Sequence, residues 1–204
     1  MLTVVDLGVS NLGSLTSALR FIGATFEVTS EADQVRAATA ILLPGVGAVD
    51  PAVAAINERE FRGPLLERVG SGVPILGICL GMQLLFEGSE EGEHAALGLL
   101  PGRAAKLGLT PDAKVPHVGF ATVVAPSDSW LGGALGASPD FYFTHSFAVR
   151  EIAGDPVVGT CAYDGGFVAA VERWPVVGAQ FHPEKSQASG LHFLVEFVRR
   201  ATDR

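Results

Sequence analysis

The chain has 204 residues, of which 48% are hydrophobic, and it carries a formal net charge of −8. This length fits a single domain spanning residues 1–204 with a substantial core. The acidic balance, with a pI of about 5.0, argues against nucleic acid as the main ligand, because nucleic acid usually demands a basic face.

The sequence also argues against several kinds of site and location. Its two cysteines, Cys79 and Cys161, provide no disulfide framework, and no Cys/His cluster resembles a zinc site, so we expect no metal and a cytoplasmic location. The longest apolar run, residues 73–86, is shorter than the ~20 residues that span a bilayer, so we expect no membrane segment. The first residues lack a signal peptide's basic segment. No G-x-x-x-x-G-K-[ST] motif occurs, and we expect no cofactor.

Strand and helix patterns alternate in the first half of the chain. The apolar residues of segment 12–22 share one helical face, with Ser10 or Asn11 as the N-cap and Gly23 at the C-terminal end. Such alternation predicts an α/β fold with a central, mostly parallel sheet and helices on both faces. Strands are predicted at Leu2–Asp6, Ala24–Thr29, Ala40–Leu43 and Val73–Ile78, and helices at Val53–Arg59 and Pro64–Val69.

A glycine-rich loop follows the third predicted strand and contains Gly45, Val46 and Gly47. Such a loop at the carboxyl end of a strand can present backbone N–H groups to a developing oxyanion. A simple strand-to-helix turn has the same local composition. The loop alone therefore leaves both interpretations open.

The segment from Gly77 to Gly81 reads G-x-C-x-G, with Cys79 at its centre and apolar runs on either side. This is the pattern of a nucleophile elbow, in which a strand, a sharp turn with one reactive side chain and a helix follow each other. The helix dipole favours a thiolate at that position. The N–H of Leu80 would be a second oxyanion donor. The alternative for Cys79 is a buried structural cysteine.

The second half of the chain has short strand patterns, some too close together for crossover helices, so part of it is predicted to be antiparallel. A final helix is predicted over Gln187–Arg200, with Leu191, Leu194, Val195 and Val198 on its inner face. Strands are predicted at Arg103–Leu107, Ala121–Ala125, Phe141–Phe143, Val157–Ala162, Phe167–Glu172 and Val176–Phe181.

His182 and Glu184 lie two residues apart near the end of the chain, separated by Pro183. In an extended segment this spacing places both side chains on the same side. A carboxylate beside an imidazole sets its tautomer and stabilises its charged form, which is the arrangement a cysteine nucleophile requires. The alternatives are a capping or surface histidine and a solvated glutamate. The elbow favours a Cys79–His182–Glu184 triad.

Taken together, these motifs resemble those of the class I (triad-type) glutamine amidotransferases, and more narrowly the glutaminase subunits of imidazole glycerol phosphate synthase. The resemblance extends over the whole chain and implies the fold of that family. The segments that carry it are Asp6–Leu12, Pro44–Gly47, Gly77–Phe86, Val115–Phe120, Tyr142–Phe147 and Gln180–Ser186.

Four residues depart from the family pattern. Leu7 and Ser10 replace a tyrosine and a glycine, and Phe120 and Ala121 replace a Trp-Asn pair. In the family these segments lie towards the synthase partner. The departures therefore concern docking and coupling, and the triad is unchanged.

The resemblance implies an activity, a substrate and a partner. Cys79, activated by His182 and Glu184, would hydrolyse L-glutamine to glutamate and ammonia. Ammonia would pass to a (β/α)8-barrel synthase subunit in a heterodimer, which makes imidazole glycerol phosphate and aminoimidazole carboxamide ribotide in histidine biosynthesis. The resemblance places glutamine against Gln83, Glu91, His145, Ser146 and Phe147. By composition alone Glu91 could belong to a solvated acidic loop, and His145 could be a core or interface histidine.

Three other functions remain open at this point. The chain could be a glutaminase that serves a different synthase, for which the changed pair Phe120-Ala121 leaves room. A cysteine hydrolase of α/β type shares the elbow but not the His-x-Glu spacing. A degenerate scaffold subunit would normally have lost Cys79, His182 or Glu184.

Overall fold

The computed structural model describes residues 1–8, 11–111, 113–137 and 139–202. In these ranges the strands are β1 (Leu2–Val5), β2 (Phe26–Thr29), β3 (Ala40–Gly45), β4 (Ile75–Cys79), β5 (Gly88–Ser89), β6 (Arg103–Lys106), β7 (His117–Thr122), β8 (Asp140–His145), β9 (Phe147–Val149), β10 (Val157–Cys161), β11 (Phe167–Arg173) and β12 (Val176–Ala179). The α-helices are α1 (Leu12–Phe21), α2 (Ala32–Ala37), α3 (Val49–Glu58), α4 (Arg62–Gly70), α5 (Leu80–Leu85), α6 (Trp130–Leu135) and α7 (Gln187–Thr202).

The main sheet of the described part has seven strands in the order β10-β11-β12-β4-β3-β1-β2. The strands from β12 to β2 are parallel, whereas β10, β11 and β12 pair in antiparallel fashion. β4 lies between β3 and β12, so the end of the elbow strand has a neighbouring strand end on each side. The structure thus has the mostly parallel mixed sheet and the antiparallel part that the sequence predicts.

Helices cover both faces of this sheet. Along β3 the side chains alternate: Leu42 belongs to the core that α1, α6 and α7 cover, whereas Ile41 and Leu43 belong to the core under α2, α3, α4 and α5. This period of two is the geometry of a strand buried on both faces. β3 and β12 therefore consist of apolar residues and glycine, and β4 does so up to Cys79 at its end.

Two small sheets lie outside the main one. β7 pairs with β8 in antiparallel fashion, and the order β5-β6-β9 forms the other sheet. The predicted strand at 121–125 is misplaced, because the strand runs over His117–Thr122. Its apolar side chains Val118 and Phe120 point outward and are 57% and 51% exposed, while His117 is buried. An inverted pattern of this kind hides a strand from sequence analysis.

Helices α2 and α6 were not predicted from the sequence, and one residue of α7 was predicted on the wrong face. α2 has a single buried side chain, Val35, and α6 contains two glycines, so neither has a strong helical pattern. Ser129 Oγ accepts from the N–H of Gly132 and caps α6. In α7, Val195 is 38% exposed rather than inward-facing. Asn11 occupies the N-cap of α1 without a side-chain cap bond, and Ser10 lies outside the described residues.

Candidate active site

Cys79 lies at the end of β4, immediately before α5, with a positive φ of 54°. A positive φ is rare for a residue with a Cβ, and such strain is typical of a nucleophile elbow. The two flanking glycines are required by contact. A Cβ on Gly81 would lie 1.7 Å from the carbonyl oxygen of Leu43, and one on Gly77 would lie 2.5 Å from that of Gly81. Because these two glycines have no Cβ atom, α5 can approach β3 and β4 closely.

His182 follows β12 and is held by its backbone. Its N–H donates to the carbonyl of Tyr142 at 2.9 Å. Its carbonyl accepts from Ser186 Oγ at 2.6 Å, and the same hydroxyl accepts from the N–H of Tyr142 at 2.9 Å. These contacts attach the turn after β12 to β8. The imidazole is therefore positioned by two strands.

Glu184 meets His182 through a turn rather than along an extended strand. Pro183–Lys185 form a 3-10 turn, and Oε1 of Glu184 accepts from Nδ1 of His182 at 2.8 Å. The two side chains meet, as their spacing predicts, but they meet through this turn, because only His182 has an extended backbone. Because Nδ1 carries the proton shared with Glu184, Nε2 is the nitrogen left for chemistry.

The charge of His182 depends on its two neighbours. Burial acts to lower its pKa, but the interactions with Cys79 and Glu184 raise it to about 9, so the imidazole is protonated at neutral pH. Among the described residues, Nε2 of His182 and Oε2 of Glu184 are buried without a well-formed hydrogen bond. Cys79 therefore acts on His182 by proximity and charge. Buried polar atoms without partners are rare, and the other such side-chain atom in the described ranges is Nε of Arg150.

A cavity of about 520 Å³ opens over Cys79 and His182. Most of the residues predicted to act around the substrate line it: Val46, Gly47, Leu80, Gln83, Glu91, His145, Ser146 and Phe147. Gly45 is set back from the cavity, within β3 and opposite Cys79 in the register. Glu184 lies behind His182 and away from the cavity. The structure thus brings all the predicted site residues to one end of the sheet.

Gln83 reaches the cavity from α5 with its donors already used. Nε2 donates to the carbonyl of Phe147 at 3.0 Å and to Oε1 of Gln180 at 3.1 Å. An amide nitrogen has two donor hydrogens, so only Oε1 of Gln83 is left for a ligand. The predicted contact of Gln83 with a substrate is therefore restricted to accepting a hydrogen bond.

His145 is neutral and is held by two hydrogen bonds. Its Nδ1 lies 2.9 Å from the carbonyl of Phe147 and must donate to it, so Nε2 accepts from Nδ1 of His117 at 3.1 Å. Burial lowers the pKa of His145 to about 4. A histidine that stays unprotonated and fully bonded is a poor general base. Because both ring nitrogens are used, a ligand in the cavity could contact only the ring carbons or the backbone of His145, and its binding role stays a prediction.

Glu91 lines the cavity and also holds the start of α3. Its Oε2 accepts from the N–H of Val49, at the start of α3, at 3.1 Å. The next residue, Asp50, accepts from the N–H groups of Glu93 and His94, each at 3.2 Å. The acidic loop is thus not simply solvated. It fixes the helix that follows Gly47.

Sequence reasoning assigned no role to Gln180, although the residue lies two positions before His182. Gln180 is fully buried, and its Nε2 faces Sγ of Cys79 at 3.7 Å. Residues at i and i+2 of an extended segment share a side, which could have pointed to it. Lys185, Thr144, Pro116 and Ala48 also line the cavity without having been predicted there.

The described residues contain no group of three or more His, Cys, Asp or Glu side chains that could hold a metal ion. None of their helices is long and apolar enough to cross a membrane.

Residues 3–201 match the family model for glutamine amidotransferase class-I. The chain therefore belongs to the class I glutamine amidotransferases, which confirms the resemblance carried by its motifs. A crystal structure of a glutamine amidotransferase superimposes with a TM-score of 0.76 at 17% identity, covering 96% of this chain and 97% of that chain. The structure of PurLQS from Thermotoga maritima gives 0.74 at 18% identity, covering 98% and 97%. These two likenesses confirm the predicted fold.

Closer relatives narrow the family. The chain is 41% identical over 208 residues to the imidazole glycerol phosphate synthase subunit HisH of Salinibacter ruber, covering 99% of this chain and 95% of the relative. It is 42% identical over 199 residues to the HisH subunit of Rhodopirellula baltica, covering 97% of each. The narrower resemblance to synthase glutaminase subunits is thereby confirmed.

Proposed function

We propose that this chain hydrolyses L-glutamine to glutamate and ammonia, and that it supplies the ammonia to the synthase subunit of imidazole glycerol phosphate synthase in histidine biosynthesis. The observation that carries the proposal is the convergence of Cys79, His182 and Glu184 at one cavity. Near-full-length identity of 41% to a HisH subunit supports the pathway. We take residues 1–204 as one cytoplasmic amidotransferase domain.

The proposed reaction has two steps, the formation of a thioester on Cys79 and its hydrolysis. Sγ of Cys79 attacks the side-chain amide carbon of glutamine, and His182 gives its proton to the departing ammonia as the C–N bond breaks. A pKa of about 9 keeps His182 protonated for that step at neutral pH. Water, deprotonated by His182, then cleaves the thioester and releases glutamate. Glu184 holds the imidazole in the required tautomer.

Backbone N–H groups of the 45–47 loop and of Leu80 would hold the oxyanion. Gly47 has a φ of +92°, and a Cβ placed there would meet nothing within 4 Å. Val46 is 36% exposed. The loop therefore has room to reorient its peptide groups. We infer that this loop is the switch: the isolated chain has low glutaminase activity, and the synthase with its ligand raises it strongly.

The surface beside the cavity fits a docked partner. Val118 and Phe120 of β7 are exposed, and the ring of Phe120 lies 5.6 Å from that of Tyr142. Lys185, which lines the cavity, lies over Tyr142 at 5.9 Å. Lys185 at the cavity rim is thus followed by Tyr142 and Phe120 on the sheet of β7 and β8, and exposed apolar side chains of this kind are typical of a protein interface. We propose that the (β/α)8-barrel synthase subunit covers this face in a heterodimer.

Of the residues that depart from the family pattern, some lie on this face and others do not. Phe120 is exposed there, whereas Leu7 is 2% exposed and packs in the core. Leu7 can therefore influence docking only through packing. Ser10 lies outside the described residues.

The decisive experiment measures glutamate release by the full chain with and without the synthase and its ribulosyl substrate. We expect strong stimulation in the complex and none with Cys79→Ala. High activity that the synthase leaves unchanged would exclude the proposed coupling. Stimulation only by another synthase would instead indicate a glutaminase of a different pathway, and ester cleavage without glutamate release would indicate a cysteine hydrolase.

Docking has its own test. Phe120→Ser should weaken synthase binding roughly tenfold, the usual scale for an apolar anchor at an interface. Phe21→Ser is the matched control, because Phe21 is 78% exposed on α1, outside the sheet of β7 and β8. Equal effects of both variants in a titration calorimeter would contradict the proposed face.

A further inference from the structure

Gln180 is a buried amide whose role the triad does not explain. Its side chain is fully buried, and it is absent from the lining of the cavity. Its backbone N–H donates to the carbonyl of Ala169 on β11 at 2.8 Å. The residue is therefore fixed on the main sheet just after β12, next to the end of β4 where Cys79 lies.

The orientation of the Gln180 amide is set by its neighbours. Oε1 accepts from Nε2 of Gln83 at 3.1 Å, so Nε2 is directed to Sγ of Cys79 at 3.7 Å. Gln83 is in turn oriented by the carbonyl of Phe147, which can only accept. The order of donors leaves the Gln180 amide a single orientation, in which an N–H points at the sulfur.

We propose that Gln180 is a positioning residue that stabilises the reactive, negatively charged form of Cys79. A neutral thiol is a weak acceptor, so the contact contributes little before ionisation. A thiolate accepts a charge-assisted hydrogen bond, which is roughly twice as strong. The stabilisation therefore favours the nucleophilic form over the resting thiol, and does so from the side of the sulfur away from the substrate cavity.

This inference deepens the proposed glutaminase activity and rests on it, but its test does not. The rate at which iodoacetamide alkylates Cys79 reports the thiolate without any need for glutamine turnover. A Cys161→Ala background leaves Cys79 as the single thiol, since the chain has two cysteines. In that background, Gln180→Leu removes the donor, and Gln180→Glu replaces it with an acceptor of the same shape.

We expect both variants to alkylate roughly tenfold more slowly at pH 7, the scale of one hydrogen bond to a charged group. The alkylation profile should move towards alkaline pH by about one unit. In the synthase complex, kcat for glutamine should fall while KM changes less than about twofold, because Gln180 does not line the cavity. Gln83→Leu, which frees the Gln180 amide to rotate, should shift the profile in the same direction.

Thr3→Val is the control for loss of a buried polar group, because Thr3 lies in β1, fully buried and bonded to Glu27. It should lower stability and leave the alkylation profile unchanged. A wild-type profile in a folded Gln180→Glu chain would overturn the proposal. If Gln180→Leu does not fold, Gln180→Glu and Gln83→Leu still decide it. Absence of glutaminase activity with normal alkylation shifts would reject the proposed function alone.

Discussion

Two buried ion pairs in this protein differ in how completely their carboxylates are bonded. Asp164 accepts from the N–H groups of Gly108 and Thr110, from the hydroxyl of Thr110 and from the guanidinium of Arg150. Burial acts to raise the pKa of Asp164, but these donors hold it well below its usual range. This pair ties loops together and is closed to ligands.

The second pair is left incomplete. Glu184 contacts His182 through one oxygen, and within the described ranges neither Oε2 of Glu184 nor Nε2 of His182 has a well-formed hydrogen bond. A buried atom without a partner costs stability. Nε of Arg150 in the first pair is also buried without a partner, but Arg150 does not line the cavity over Cys79, whereas His182 does. The comparison teaches that burial and charge alone do not identify an active site. Unused bonding capacity beside a cavity does.

Cys79→Ala should have the largest effect on activity and little effect on stability. We expect glutaminase activity in the synthase complex to fall on the order of 10⁴-fold or more, because the nucleophile is lost. Stability should change by no more than about 1 kcal/mol, since alanine meets the same backbone strain as cysteine. Urea unfolding and glutamate release measure the two quantities. A large loss of stability in Cys79→Ala would show that Cys79 also has a structural role, which contradicts the proposed division between a reactive and a structural region.

Glu184→Gln should be the next largest effect. The amide keeps the shape but no longer stabilises a charged imidazole, and kcat should fall by roughly 10² to 10⁴. The expected sign in the pH profile is a decline of activity beginning at lower pH than in the wild type, because one support of the raised His182 pKa is gone. Steady-state kinetics from pH 6 to 10 would test this, and an unchanged profile would remove Glu184 from the triad.

Asp164→Asn should reverse the balance between activity and stability. Removing one partner of a buried pair typically costs about 3 to 5 kcal/mol. We expect that loss in urea unfolding, with kcat per folded molecule close to wild type. Asp33→Asn is the control, because its ion pair with Arg36 is solvent-exposed. A kcat that falls along with stability would show that the two regions are coupled.

The smallest expected effect is a pH-dependent difference in stability. Because the pKa of His182 rises from 6.5 to about 9 in the folded protein, the native state binds its proton more tightly than the unfolded chain does. That stabilisation is fully present below pH 6.5 and is lost as pH rises through about 9. The unfolding free energy of the wild type minus that of His182→Asn should therefore decrease over this range. A difference that increases would contradict a protonated His182.

Local patterns were enough to predict the elements that build the site. The elbow around Cys79 was visible because close backbone contacts require glycine on each side of it: Gly77 lies against α5, and Gly81 lies against Leu43 of β3. The loop at 45–47 and the pair His182 and Glu184 were visible for similar reasons. Strand 117–122 was not, because its apolar side chains face outward. The alternation of apolar and polar residues predicts which side chains are buried, and it misleads where apolar side chains are exposed on the surface, as they are in this strand.

By itself the sequence determined the fold class, the nucleophile elbow and the pair His182 and Glu184, because each depends on residue types at short spacings. The link from Cys79 to that pair was inferred from the base that a cysteine nucleophile requires. Only the tertiary structure decided which polar atoms meet. The parallel pairing of β12 with β4 and the approach of Phe147 to α5 bring Gln180 to the sulfur and use both donors of Gln83. Such contacts join residues 64 and 101 positions apart. They depend on strand register and packing, which a local pattern does not contain.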